Sequence, residues 1–338
     1  EILARLAERA RCAQRVGEIK RGVMYYRPER EAQVLRRLQE INPGPLSGEN
    51  ITFFFREVMS ACLSLEEPLG ISFLGPLGSF TGSAATKHFG HAARLLPQAS
   101  IDDVFREVES AHAHYAVVPV ENSTEGAVGR TMDLLLATPL KICGEVVLRI
   151  HQNLLTNEPD LGKVTKVYSH AQSLAQCHEW LNRNLPGVPR ISVASNSLAA
   201  QMAAEEAGVA AIAGEAAAER YKLPKLIENI EDEPNNTTRF LVLGKHDAGV
   251  SGRDKTSLIM SAPNRTGALH ELLLPLSAAG VSMCRLESRP ARNALWEYVF
   301  YVDIEGHRDD PAVKSALDKL AAHAAYLKIL GSYPVAVY

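Results

Sequence analysis

The chain has 338 residues, of which 46% are hydrophobic and 22% charged, enough for two or three domains of roughly 100–200 residues each. That apolar share excludes a wholly disordered chain, and no run approaches the roughly 18 consecutive apolar residues of a membrane-spanning helix. Lys and Arg number 36 against 39 Asp and Glu, a net charge of −3, which gives no general pull toward nucleic acid or a membrane surface. Cys12, Cys62, Cys143, Cys177 and Cys284 lie far apart and form no CxxC pair. Reduced thiols and a cytoplasmic location are expected, with neither a disulfide framework nor a zinc ribbon. The chain shows no signal peptide, but it begins at Glu1 without a methionine and already in helical rhythm, so its start is expected to lie upstream.

Residues 1–67 read as helices. Ile2, Leu6, Ala13, Val16 and Ile19 recur at three- and four-residue steps. A second helix is predicted from about Pro28 to Ile41, NPGPLSGEN (42–50) breaks the pattern, and a third runs from about Ile51 to Leu65. Residues 1–41 carry ten Lys/Arg against six Asp/Glu although the whole chain is acidic. Arg9 and Lys20, eleven residues apart, project from one helical face at about 3.6 residues per turn. Such a face is equally read as solvated surface.

The combination of that face with Arg30 and Glu31 in RPERE, and with Cys62 and Glu66 on the third helix, resembles the all-helical chorismate mutases over residues 1–67. The resemblance implies that Arg9 and Arg30 hold the carboxylates of chorismate. Lys20 would contact its ether oxygen and Glu31 its hydroxyl. Glu66 would be a second donor to the ether oxygen, and Cys62 would stand where a small hydroxyl residue is common. It further implies an intertwined dimer whose partner supplies an arginine from a turn preceding Glu1. A carboxylate donates a hydrogen bond only when protonated, so Glu66 implies a mutase that is faster in acid.

Residues 71–244 change character. ISFLG, HYAVVPV, ICGEVVL, VTKVYSH, ISVAS, VAAIAG and RFLVLG alternate with Ala-rich helical stretches, the pattern of an α/β fold with largely parallel, buried strands. Four polar clusters sit at strand edges: GPLGSFTG with Ser79 and Thr81, VPVENST with Asn122, YSHAQSLAQC with Ser169 and Gln176, and NNTTRF with Thr238 and Arg239. Strand ends are where open α/β sheets place ligands. Taken singly, each also fits a helix cap, an ordinary turn or a surface ion pair. Together and in this order they resemble prephenate dehydratase. That implies two α/β lobes like a periplasmic-binding-protein cleft, with prephenate between them and no metal or organic cofactor. Thr238 would be the acid toward the departing hydroxyl, and Ser79, Thr81, Asn122, Ser169, Gln176 and Arg239 would bind or orient substrate.

GKHDAGVSGRDK (244–255) reads as a polar, Gly-rich linker. Beyond it the order strand, helix, strand, strand, helix, strand is βαββαβ, a ferredoxin-like unit. GALH and ESRP within it resemble the ACT regulatory domain over about residues 255–334. The resemblance implies a phenylalanine pocket of Asn264, Gly267, Ala268 and Leu269, completed across a subunit interface by Glu287, Ser288 and Arg289.

The three signatures stand in pathway order and resemble the bifunctional chorismate mutase–prephenate dehydratases. A homodimer or homotetramer is implied. The alternatives are a dehydratase whose helices serve only dimerisation, a dehydratase preferring arogenate, and a metabolite sensor without catalysis.

Overall fold

The computed structural model describes residues 1–19, 26–263, 265–291 and 298–337. Lys20 and Asn264 lie outside the described residues. Three helices open the chain: α1 (Ile2–Ile19), α2 (Pro28–Glu40) and α3 (Gly48–Ser64). Pro28 occupies the first turn of α2, where its missing amide proton leaves no hydrogen bond unmade. Ser47 accepts from the Asn50 amide at 3.2 Å, so α3 begins at Gly48 rather than the expected Ile51. The end of the broken run is itself a helix cap. Glu66 lies just past α3, its amide bonded to the Leu63 carbonyl at 2.9 Å.

The first lobe of the central region holds β1 (Gly70–Leu74), α4 (Phe80–Phe89), β2 (Arg94–Gln98), α5 (Ile101–Glu109), β3 (Tyr115–Asn122), β4 (Gly126–Ala127), α6 (Gly129–Ala137) and β5 (Lys141–Arg149). The chain then crosses to a second lobe of β6 (Asn153–Thr156), β7 (Lys166–Ser169), α7 (Ala171–Gln176), α8 (His178–Asn184), β8 (Arg190–Ser192), α9 (Asn196–Glu205), β9 (Val209–Ala213), α10 (Glu215–Tyr221) and β10 (Lys225–Ile227). It returns to the first lobe as β11 (Thr237–Gly244). The sheets run β2-β1-β3-β11-β5, with β4 on β3, and β10-β6-β9-β7-β8.

The expectation of largely parallel strands holds only in part. β1 is parallel to β2 and β3, and β7 to β8 and β9, but β11 is antiparallel to β3 and β5, and β6 to β9 and β10. The crossing explains this. β3 and β5 both run toward the other lobe, so a strand coming back between them must run the opposite way.

The last region holds β12 (Asp254–Ser261), α11 (Ala268–Ala278), β13 (Met283–Pro290), β14 (Tyr298–Glu305), α12 (Pro311–His323) and β15 (Tyr326–Pro334), with sheet order β13-β14-β12-β15. This is the βαββαβ unit the sequence implied. It shares a core with the first lobe, where Ile142, Leu241 and Leu243 pack with Ile259, Tyr301, Leu330 and Tyr333. A Cβ at Gly331 would overlap the Ile142 carbonyl oxygen, so glycine is what lets β15 lie against β5. Lys328 of β15 donates to the carbonyls of Leu135, Leu136 and Thr138 at 3.0, 2.9 and 2.6 Å, closing the C-terminus of α6 with a cation.

The segment expected to be a linker is clamped. Arg36 of α2 donates to the carbonyls of Ser251 and Arg253 at 3.2 and 2.9 Å, and Ala248 and Ser251 are buried. Among the described residues no helix is long and apolar enough to cross a membrane.

Candidate active sites

The helical region forms an open hollow of about 640 Å³ whose lining includes Arg9, Arg30, Glu31, Cys62 and Glu66. Three guanidinium groups, those of Arg9, Arg27 and Arg30, and two carboxylates thus line one space, drawn from α1, the start of α2 and the end of α3. Gly17 makes the approach of α1 possible, since a Cβ there would stand 3.1 Å from the Glu66 Cα. Glu31 pairs with Arg56 Nε at 3.3 Å. Burial pushes its carboxyl above the ordinary range, against the opposing pull of Arg56. Arg56 had no motif to mark it in the sequence.

The second site lies between the two lobes, in a cleft of about 340 Å³. Ser79, Thr81, Asn122, Gln176 and Thr238 line it, as expected residues, and Gln152 and Asn196 join them. Two hydrogen bonds tie the lobes: Gln176 Nε2 to Glu125 Oε1 at 3.0 Å, and Ser197 Oγ to the Leu77 carbonyl at 2.6 Å. The N-termini of α4 and α9, capped by Ser79 and Ser195, meet the cleft from opposite lobes. Their unpaired amides and dipoles favour an anion there.

Thr238 has a defined role to play in hydrogen bonding. Asn122 Nδ2 donates to its Oγ1 at 2.8 Å and to Asn236 Oδ1 at 2.8 Å. Asn122 is held in turn, its Oδ1 accepting from the Thr124 amide and hydroxyl at 3.0 and 2.6 Å. Among the described residues, none accepts the Thr238 hydroxyl proton, which is therefore left for whatever occupies the cleft. Gln152 Nε2 donates to Ser173 Oγ at 3.0 Å and Gln176 Oε1 at 3.1 Å, while its own Oε1 is buried without a partner among the described residues.

Three sequence expectations are corrected here. Arg239 does not line the cleft. It follows Thr238 on β11, and successive strand residues point to opposite faces; its guanidinium bonds Glu145, Asp303 and Tyr333 behind the sheet. Ser169 is fully buried, 2.9 Å from Asn196 Oδ1 and 2.7 Å from the Ile212 carbonyl, so it fixes Asn196 rather than reaching the cleft itself. The Ser79 hydroxyl is occupied twice, accepting from the Gly82 amide and donating to the Leu74 carbonyl; only its position at the cap is available to a ligand. Gln152 and Asn196 went unmarked because each is a lone amide outside any motif.

In the last region Gly267 opens α11 with a left-handed φ of 79°, followed by buried Ala268 and half-buried Leu269. Glu287, Ser288 and Arg289 stand on β13, the edge strand of its sheet. Arg289 pairs with Asp133 of α6 at 3.3 Å in the same chain, which commits its guanidinium to the first lobe. No group of three or more His, Cys, Asp or Glu among the described residues is placed to hold a metal ion.

Three protein families match in succession: chorismate mutase type II over residues 1–67, prephenate dehydratase over 71–248 and the ACT domain over 256–322. The bifunctional chorismate mutase/prephenate dehydratase of Neisseria gonorrhoeae is 57% identical across all of this chain and 94% of its own length. Among solved structures, the prephenate dehydratase of Arthrobacter aurescens in complex with L-Phe superposes with a TM-score of 0.72 at 31% identity, over 79% of this chain and 90% of that one. A structure described as GqqA, a quorum-quenching acylase, gives the same TM-score at 29% identity, over 79% of this chain and 98% of that one. A shared fold therefore does not by itself name the reaction. The full-length match does so here, with three regions in one order: the chain belongs to the bifunctional chorismate mutase/prephenate dehydratases.

Proposed function

We propose that the two cavities carry consecutive steps, chorismate to prephenate in the helical hollow and prephenate to phenylpyruvate in the cleft. The hydroxyl of Thr238, oriented by Asn122 and with its proton unclaimed, is the observation that carries the second step.

Rearrangement of chorismate breaks one C–O bond and forms one C–C bond without a nucleophile, so holding the dianion in a reactive shape is the whole task. Arg9 and Arg30 clamp its carboxylates, and Glu31 takes its hydroxyl. Lys20 and a protonated Glu66 stabilise charge growing on the ether oxygen, and Cys62 closes the wall between them. In the cleft, the bond to the ring carboxylate breaks and CO₂ leaves. Its electron pair aromatises the ring as the C–O bond to the hydroxyl breaks, and that hydroxyl leaves as water with a proton passed through Thr238. Thr81 and Gln176 orient prephenate directly, Asn122 acts through Thr238 and Ser169 through Asn196, and the amides beyond Ser79 receive a carboxylate.

L-Phenylalanine is the ligand of the ACT region, at Asn264, Gly267, Ala268, Leu269, Glu287 and Ser288, and inhibits the dehydratase. The free edge of β13 fits a pocket completed by a second copy. The exposed Ile2, Leu3, Ile19, Phe53 and Phe54 of the helical region favour the same homo-oligomer. We assign residues 1–67, 71–244 and 255–334 to the three domains, and the enzyme to the cytoplasm.

The test is to supply chorismate alone and follow prephenate and phenylpyruvate separately. Phenylpyruvate should appear after a prephenate lag. Prephenate that accumulates without phenylpyruvate refutes the assignment of Thr238. Binding of prephenate without turnover, in wild type and Thr238→Ala alike, supports a sensor instead.

A further inference from the structure

The cleft wall has a charged counterpart on its back. β3 and β11 pair with Thr238 opposite Asn122 and Arg239 opposite Glu121. Alternation along each strand sends the first pair into the cleft and the second pair the other way, toward the ACT sheet. Arg239 Nη1 donates to Asp303 of β14 at 2.6 Å, Nη2 to the Tyr333 hydroxyl of β15 at 2.9 Å, and Nε to Glu145 of β5 at 2.9 Å. Glu121 lies 2.9 Å from Arg285 Nε of β13, and Lys255 of β12 reaches Glu145 at 2.9 Å. All four ACT strands thus place polar side chains behind β3, β11 and their neighbour β5, with Ser257 of β12 bonded to Asp303 and Tyr333 within the cluster.

Adhesion alone does not account for this cluster. The Glu145 and Asp303 side chains are 1% and 7% exposed, and burying ion pairs is often no better for stability than apolar packing of similar volume. Beside it, Ile142, Leu241 and Leu243 meet Ile259, Tyr301 and Leu330 in an apolar part of the same contact. Two details point to adjustability. The pairing of β11 with β3 shifts register between Arg239 and Phe240, an irregularity of the kind that re-aims side chains beside active sites. Among the described residues Arg285 Nη2 is buried with no hydrogen-bond partner, so the present seat of β13 leaves a donor unsatisfied.

We propose that Glu121 and Arg239 are positioning residues for the dehydratase reaction, through which the ACT sheet sets the placement of Asn122 and Thr238. A displacement of β13 pulls on Arg285 and Glu121. A displacement of β14 pulls on Asp303 and Arg239. Either moves the hydrogen-bonded pair one residue away. The link to inhibition rests on the reading of L-phenylalanine as the ACT ligand; the positioning role does not.

The full chain is tested as Asp303→Asn, Arg285→Gln, Arg285→Lys and Tyr333→Phe. Dehydratase kcat and KM are measured with and without saturating L-phenylalanine, L-phenylalanine binding by calorimetry, and mutase turnover in the same samples as a check on folding. In Asp303→Asn and Arg285→Gln, kcat should fall about tenfold while KM changes less than about threefold, with mutase turnover unchanged. The ratio of kcat with and without L-phenylalanine should move to within about twofold of unity although the amino acid still binds. Arg285→Lys, which keeps the charge, should recover most of the loss. Should Asp303→Asn lose mutase activity as well, Tyr333→Phe, lacking only a hydroxyl, carries the comparison. Wild-type kcat and wild-type inhibition in every folded variant would overturn the proposal and leave the cluster as a docking contact. Failure of wild type to bind L-phenylalanine would refute the ligand reading alone, with the kcat comparison still deciding the positioning role.

Discussion

The helical hollow and the two-lobed cleft hold their polar residues in opposite settings. α1 buries none of its residues, and Ile2, Leu3 and Ile19 are 80%, 79% and 84% exposed. Arg9 and Arg30 stand at the surface of an open space, where water and salt weaken any single charge. In the cleft, Asn122, Gln152 and Thr238 are buried, and the NH2 groups of Asn122 and Gln152 are already engaged. Donors fixed before the ligand arrives need no reorganisation during reaction. One chain thus builds the cleft almost to completion, whereas the helical hollow stays open on one side.

The sharpest way to break this contrast is Thr238→Ala. Loss of a positioned acid should lower dehydratase kcat about 10³-fold and leave chorismate turnover unchanged; a dehydratase retained within about tenfold would remove Thr238 from the mechanism. The reciprocal change, Arg9→Ala, removes charge-assisted hydrogen bonds worth about 3 kcal/mol, which is about 100-fold in mutase kcat/KM. Phenylpyruvate formation from supplied prephenate should not change. A parallel drop in both activities would mean that the two sites are not separable.

Glu66→Gln probes the hollow more finely. Gln donates a hydrogen bond at every pH, while Glu does so only when protonated. Wild-type mutase turnover should rise toward acid and the variant should be flat; identical pH profiles would sink the role given to Glu66.

The smallest effect lies at the seam between the two regions. His88 of α4 bonds the Tyr26 hydroxyl at 2.9 Å. Burial, reinforced by the charge of Arg56, pushes its imidazole down to about 3 from the ordinary 6.5. The unfolded chain then binds a proton that the folded chain refuses, so stability is complete above about pH 6.5 and falls as pH drops toward 3. At pH 5 the loss is about 2 kcal/mol. His88→Gln should flatten the acid decline by that amount in denaturant titrations at pH 7 and pH 5, and an unaltered decline would place the acid sensitivity elsewhere.

Much of this molecule was legible in its sequence. The three-region order follows from the change from helical spacing to buried strands to βαββαβ, because those periodicities are local properties of the chain. Of the residues expected to share the mutase substrate, Arg9, Arg30, Glu31, Cys62 and Glu66 line one hollow, while Lys20 lies outside the described residues. Thr81, Asn122, Gln176 and Thr238 were expected in one cleft, and the strand ends bring them there. The backward turn of Arg239 was also readable in principle, since neighbours on a strand cannot share a face.

Other features depended on partners far away in the chain. No local pattern marks Asp303 and Tyr333 as the receivers of Arg239, or Arg36 as the clamp on a segment that reads as a free linker. The antiparallel entry of β11 follows from the chain's passage between lobes, and residues 237–244 read the same in either direction. Periodicity and motif order determined which elements form and which residues line the two cavities. The direction of the returning strand and the charged seam between cleft and ACT sheet were decided only by packing, because burying a charge or pairing a strand edge is settled by what lies opposite in space.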